Sequence, residues 1–94
     1  MKRQGDLLIV RVEAIPIASK KKDNLILAEG EATGHNHALD SGEVYEKDGV
    51  LYFRADTTTR LNHPEHKQLL FEKGTYKVIR QREYEPAGWR NVAD

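Results

Sequence analysis

Short apolar stretches alternate with turn-forming residues along most of the chain. Leu, Ile and Val dominate residues 6–12 and recur in residues 24–29. Each run is too short for a typical helix, and its branched side chains favour extended backbone, so both predict buried strands. No apolar period of 3.6 residues is sustained along the chain, which argues against amphipathic helices.

Two glycine-containing turns predict hairpins. Lys47-Asp48-Gly49 lies between apolar runs, and Asp-Gly in that setting is a strong hairpin signal. Glu72-Lys73-Gly74 separates residues 68–71 from residues 75–84 in the same manner. Pro64 favours the first position of one helical turn starting at His63. We therefore predict an all-β fold, a small barrel or sandwich with at most one short helical turn.

Length and composition fit a single domain over residues 1–94. The 94 residues are 38% hydrophobic and 32% charged, enough for one modest core. Lys plus Arg and Asp plus Glu both number 15, so bulk charge gives no argument for nucleic acid or membrane binding.

The absence of cysteine and of long apolar stretches narrows the classes of function. Without cysteine, disulfides, thiolate zinc sites and thiol catalysis are excluded, and any metal must be held by nitrogen and oxygen. No stretch approaches the roughly 20 apolar residues of a membrane span. Residues 7–10 are too few for the core of a signal peptide. We expect a cytoplasmic protein without a membrane partner, and homo-oligomerisation stays open.

All four histidines fall into two tight pairs, Gly34-His35-Asn36-His37 and His63-Pro64-Glu65-His66. Residues two apart on a strand face the same side, so the first pair can present two imidazoles to one ion. A tight turn does the same for the second pair. We predict one site that binds a divalent metal (zinc, iron, nickel or manganese) through His35, His37, His63 and His66. The alternative is that both pairs are ordinary turn residues facing water.

The number of ligands decides the chemistry of such a site. Three histidines and a water give an activated nucleophile, because the metal lowers the pKa of that water to about 7. The protein would then be a hydrolase for a phosphodiester or similar substrate, either a small molecule or a nucleic acid, with Glu65 or Glu43 as the base. Four histidines give a closed, structural site.

A metal-independent alternative uses histidines as general acid and base, as in some ribonucleases. An arginine would then hold the phosphate; the candidates are Arg54, Arg60, Arg80 and Arg82.

The last predicted strand interleaves arginines with aromatic residues. Alternation places Tyr76, Val78, Arg80, Arg82 and Tyr84 on one face. Cations for phosphates and rings for bases are what binding of RNA or single-stranded DNA requires. The competing interpretation is an amphipathic sheet face whose arginine stems cover the tyrosines. A third class of function is a phage-type protein-interaction module, in which the histidines only shape turns.

Three motifs and the opening Gln4-Gly5-Asp6 carry a family resemblance. Gly34-His35-Asn36-His37, His63-Pro64-Glu65-His66 and Gln81-Arg82-Glu83-Tyr84 resemble an uncharacterised group of short bacterial and prophage hypothetical proteins. The resemblance covers most of the chain and implies no activity.

The order His35, His37, Glu43, Gly49 also resembles the first half of the cupin metal motif. Here the glutamate comes later than in cupins, and the second half of the motif is missing.

Overall fold

Short runs of alternating buried and exposed side chains form ten strands in residues 1–29 and 35–80, which are the residues described by the computed structural model. These ranges contain no helix. The strands are β1 (Lys2–Gln4), β2 (Leu7–Val12), β3 (Lys20–Lys21), β4 (Ile26–Glu29), β5 (Asn36–Leu39), β6 (Glu43–Lys47), β7 (Val50–Ala55), β8 (Thr59–Asn62), β9 (Leu69–Phe71) and β10 (Gly74–Arg80).

The strands form two antiparallel sheets. One has six strands in the order β1-β2-β10-β7-β6-β3, and the other has four in the order β4-β5-β8-β9. The predicted all-β fold is confirmed. The sheets stay separate and do not close into one barrel. Residues 64–66 form bends, at the place where the sequence allowed one helical turn.

One hydrophobic core joins the two sheets. Its centre is aromatic: Phe53 from β7 stacks on Tyr76 from β10 at 4.9 Å between ring centres and meets Phe71 from β9 edge-on at 5.4 Å. Such aromatic pairs contribute about 0.5–1.5 kcal/mol beyond their area burial. Around this centre pack Leu7, Ile9, Leu27, Leu39, Val44, Leu61 and Val78.

The hairpin predicted at Lys47-Asp48-Gly49 is confirmed. Lys47 pairs with Val50, so Asp48 and Gly49 form a two-residue loop between β6 and β7. Both have positive φ, 52° and 80°, as the tight turns that match strand twist require.

The second hairpin, predicted at Glu72-Lys73-Gly74, is wrong. β9 pairs with β8 in the four-stranded sheet, whereas β10 pairs with β2 and β7 in the six-stranded sheet. Phe71 and Tyr76 are both buried, each in a different sheet, and the Tyr76 hydroxyl donates to the Glu72 carbonyl at 2.7 Å. The turn therefore carries the chain across the core to the other sheet.

Side chains of the edge strand β1 connect it to the other sheet. The Gln4 amide donates to the carbonyls of Leu61 at 3.0 Å and Lys67 at 2.8 Å, and the Lys2 ammonium donates to that of Leu70. This seam of side-chain hydrogen bonds holds the segment between β8 and β9 against β1. In the part of the chain described, no helix is long and apolar enough to cross a membrane.

Candidate histidine pocket

The register of β5 on β8 brings the two histidine pairs together. Ala38 pairs with Asn62, so the start of β5 lies beside the end of β8. His35 directly precedes β5 and His37 is its second residue, while His63 follows β8 directly and His66 lies three residues further on. The segments that carry the two pairs therefore lie side by side, although 25 residues separate them in the chain.

The four imidazoles form one cluster. The ring centre of His63 lies 4.4 Å from that of His37, 4.4 Å from that of His66 and 6.0 Å from that of His35. His37 and His66 lie nearly parallel, at 13° and 5.8 Å. They line a pocket of about 240 Å³, here called the histidine pocket, together with Asp6, Ala28, Glu29, Glu65 and Arg80.

Gln4 fixes which nitrogen of His37 carries the proton. Its Nε2 donates to two backbone carbonyls, so its Oε1 must be the atom that faces His37 Nδ1, 2.8 Å away. That oxygen only accepts, so Nδ1 carries the hydrogen. Neutral His37 therefore has an unprotonated Nε2, the form of the nitrogen that binds a metal.

His37 is neutral at physiological pH. His37 is only 6% exposed, and this burial is the main cause that lowers its pKa from 6.5 to about 4. His63, His66 and Arg80 lower the pKa further, because each would repel a charged imidazolium, while Asp6 raises it.

His63 is held in the opposite tautomer. The backbone N–H of Glu65 donates to His63 Nδ1 at 3.0 Å, so neutral His63 carries its hydrogen on Nε2. Burial, followed by the nearby His66 and His35, lowers the pKa of His63. A hydrogen bond from the His63 N–H to the backbone of His35 raises the pKa and ties the two histidine segments together.

Gly5 makes room for the rings. Its φ of +59° is left-handed, and a Cβ there would lie 3.0 Å from His66 Nε2 and 3.2 Å from His37 Cε1. A side chain at this position would push on two of the four imidazoles, so the close approach of backbone to rings requires glycine.

Charged side chains surround the cluster. Arg80 Nη2 lies 3.7 Å from Asp6 Oδ2, and His35 Nδ1 lies 3.8 Å from Glu65 Oε2. Within residues 1–29 and 35–80, no group of three or more His, Asp or Glu side chains is arranged so that it could hold a metal ion as it stands. The rings have converged without forming a ready-made set of metal ligands among these residues.

Glu65 lines the histidine pocket, as the sequence predicted, whereas Glu43 does not line it. Glu43 accepts hydrogen bonds from the Tyr45 hydroxyl at 2.8 Å, from Arg54 and from Lys21 at 3.3 Å. These bonds, that of Tyr45 first, lower the pKa of Glu43 to about 2. The cupin-like order of His35, His37 and Glu43 therefore does not correspond to one site.

The arginine–tyrosine face of β10 turns inward. Tyr76 and Val78 are buried in the core, so Tyr76 has no free ring face for a nucleic acid base. Arg80, the next residue on that face, lines the histidine pocket. Arg82 and Tyr84 lie outside the described residues.

Sequence reasoning assigned no role to Gln4, Gly5 and Asp6, which contact or line the pocket. The one sequence feature that could have pointed to them is that the opening Gln4-Gly5-Asp6 is among the segments that carry the family resemblance. Nothing in their spacing relates them to histidines more than 28 residues away.

Comparison with known proteins gives a family without an activity. A family model described as Domain of unknown function (DUF8820) matches residues 3–81. No curated protein and no solved structure matches the chain. The match agrees with the resemblance to an uncharacterised group.

Proposed function

Because the chain belongs to the family Domain of unknown function (DUF8820), whose description gives no activity, we propose a function from the histidine pocket: the protein binds one divalent metal ion there. The observation that carries the proposal is the convergence of all four imidazoles around a buried histidine with one free ring nitrogen.

The spacing of the rings supports a shared ion. Two imidazoles on one tetrahedral zinc, at about 2.0–2.1 Å per bond, have ring centres about 5 Å apart. The ring centres of the proposed ligands His37 and His66 are 5.8 Å apart, close to that distance. Rotation about the Cβ–Cγ bond redirects the nitrogens while each ring centre moves little, so small rotamer changes complete the ligand set.

The ionisation of the cluster supports a cation as the ligand. His37 does not have to lose a proton to bind a metal at neutral pH, because its pKa is about 4. Its Nδ1–H is already held by Gln4, which is the arrangement that orients metal-ligating histidines. His37 Nε2 is therefore the anchor ligand, and His66 and His35 join it.

Three histidine ligands leave a position for water and favour hydrolytic chemistry over a structural role. His63 has its Nδ1 occupied by the Glu65 amide and its N–H hydrogen-bonded to the backbone of His35, so it joins the two histidine segments and is not counted as a ligand. Glu65, whose side chain is 66% exposed, is the base that removes a proton from this water.

Titration of tag-free protein with zinc, nickel, manganese and iron(II), read by calorimetry and native mass spectrometry, tests the proposal. We expect one ion per chain. His37→Ala and His66→Ala should each lose binding, and the double variant should be little worse than either single, since ligands of one site act as a unit.

Gln68→Ala is the matched control. Gln68 lies two residues from His66, bonds Asn62 at the surface and does not line the pocket, so this variant should bind metal normally. Wild-type protein that binds none of the four ions, or His37→Ala protein that binds as tightly as wild type, would contradict the proposal.

A further inference from the structure

Arg80 has a hydrogen-bond donor that no protein group uses among the described residues. Its Nη2 faces Asp6 at the long distance of 3.7 Å, and its Nε is buried without a hydrogen-bond partner in residues 1–29 and 35–80. Leaving a buried donor unsatisfied costs about 1–3 kcal/mol, and more when the group is charged. Such donors are usually satisfied by protein, water or a ligand.

The charge of the pocket determines what can approach Arg80. Three carboxylates (Asp6, Glu29 and Glu65) line the pocket with one guanidinium, so carboxylates outnumber the arginine by about two charges. An anion is repelled from such a pocket. A bound divalent cation cancels that excess, and an anion can then enter.

We propose that the histidine pocket binds a phosphate group between Arg80 and the divalent ion, and that the metal binds first. This inference rests on the proposed metal site and names the substrate class of that site. The guanidinium is planar and presents its N–H groups as a fork that matches two phosphate oxygens, which a point charge cannot do.

The dimensions of the pocket agree with such a ligand. A pocket of about 240 Å³ holds a phosphate group with several waters but not a large organic substrate. The substrate would therefore place only its phosphate in the pocket, with the remainder outside.

Calorimetric titration of inorganic phosphate into metal-loaded, desalted protein tests the inference, with ³¹P resonance as a second readout. The metal-loaded wild type should bind phosphate, and the metal-free protein should bind it at least about 100-fold more weakly. Arg80→Met should lower phosphate affinity about 10- to 100-fold, as expected for a hydrogen bond to a charged group, and should still bind the metal.

Two control variants separate position from charge. Arg3→Met removes an exposed arginine of β1 that does not line the pocket, and it should leave phosphate affinity unchanged. Arg80→Lys keeps the charge but loses the fork, so its affinity should fall between those of wild type and Arg80→Met. Circular dichroism shows whether Arg80→Met is folded. If it is not, the phosphate affinity of Arg80→Lys is compared with that of wild type in its place.

The results distinguish three failures. Wild type that binds no metal overturns the proposed function itself. Metal-loaded wild type and folded Arg80 variants that bind phosphate equally, or not at all, overturn the phosphate site while the metal site stands. Phosphate binding of equal strength without metal overturns the order of binding.

Discussion

Gln4 connects the ionisation of His37 to the backbone of two other segments. It is 2% exposed, and both ends of its amide are used. A substitution here acts on the tautomer of His37 and on the carbonyls of Leu61 and Lys67 together.

We expect Gln4→Ala to weaken metal binding about 10- to 100-fold, because the partner that orients a ligating histidine is lost. The free energy of unfolding should fall by about 2–4 kcal/mol, since buried groups lose their hydrogen-bond partners. Calorimetry and urea unfolding measure the two effects. Nitrogen-15 resonance of wild-type His37 should show the hydrogen on Nδ1; a hydrogen on Nε2 would contradict this account of Gln4.

The lowered pKa of His37 predicts how the stability of metal-free protein depends on pH. Folded His37 protonates near pH 4, and unfolded His37 near pH 6.5. Between these values the unfolded state binds the extra proton, so the free energy of unfolding is highest above pH 6.5 and falls as pH drops toward 4. The loss is about 3 kcal/mol.

Urea unfolding in the presence of a chelator, at pH 7.5 and pH 4.5, measures this loss. His37→Gln removes the titrating group and should flatten the dependence, apart from a smaller contribution of the same sign from His63. Equal stability at the two pH values in wild type would show that His37 is not held neutral by its surroundings.

The identity of the clustered histidines, and of Glu65, was predictable from the sequence, because the pairs are local in the chain. The roles of Gln4 and Asp6 were not predictable from the sequence. These residues reach the pocket only because β1 pairs with β2 and because side chains of β1 form hydrogen bonds with residues 61–70. Glu43 was predicted near the pocket, yet the pairing of Glu43 with Arg54 draws it into another cluster.

Among the strands, too, features set by neighbouring residues were predictable, whereas pairings set by distant parts of the chain were not. β2 and the β6–β7 hairpin follow from apolar runs and Asp48-Gly49. The link from β9 to β10 has the composition of a hairpin turn, but it crosses between sheets because Phe71 and Tyr76 must both reach the aromatic centre. Turn residues specify that the chain reverses direction. Core packing decides which strand the next segment pairs with.

Two glycines of the β6–β7 region provide a matched pair of substitutions. Gly49 has φ +80° and no atom within 4 Å of an added Cβ, whereas Gly42 has φ +95° and the Arg54 carbonyl oxygen 2.5 Å away. Gly49→Ala should cost about 1–2 kcal/mol, for left-handed backbone alone. Gly42→Ala should cost clearly more, because backbone must also move.

Equilibrium urea unfolding of the two glycine variants gives the comparison. Equal costs would mean that β6 shifts away from β7 without penalty at Gly42, contrary to the pairing of Glu43 with Arg54.

A single core shared by both sheets implies cooperative unfolding. Phe53 is fully buried and touches both other rings of the aromatic centre. Phe53→Ala should cost about 3–5 kcal/mol, the usual range for a buried aromatic. Leu70→Ala, at a half-exposed position of β9, is the control and should cost less than about 1 kcal/mol.

Far- and near-ultraviolet circular dichroism should report the same unfolding midpoint, since both sheets depend on the same centre. Separate midpoints would show that strands persist after the aromatic centre has lost its packing, which contradicts a single cooperative unit.

The position of β10 has a consequence for how the protein is made. β10 lies between β2 and β7 in the six-stranded sheet. Until residue 80 has been synthesised, β2 and β7 therefore have no strand that connects them. A nascent chain that has left the ribosome as far as β9 already holds all four histidines but lacks Arg80 and the strand that joins β2 to β7. At about 5–20 residues per second, the synthesis of β10 adds only seconds, yet during them the edges of β2 and β7 are open to chaperones and to other chains.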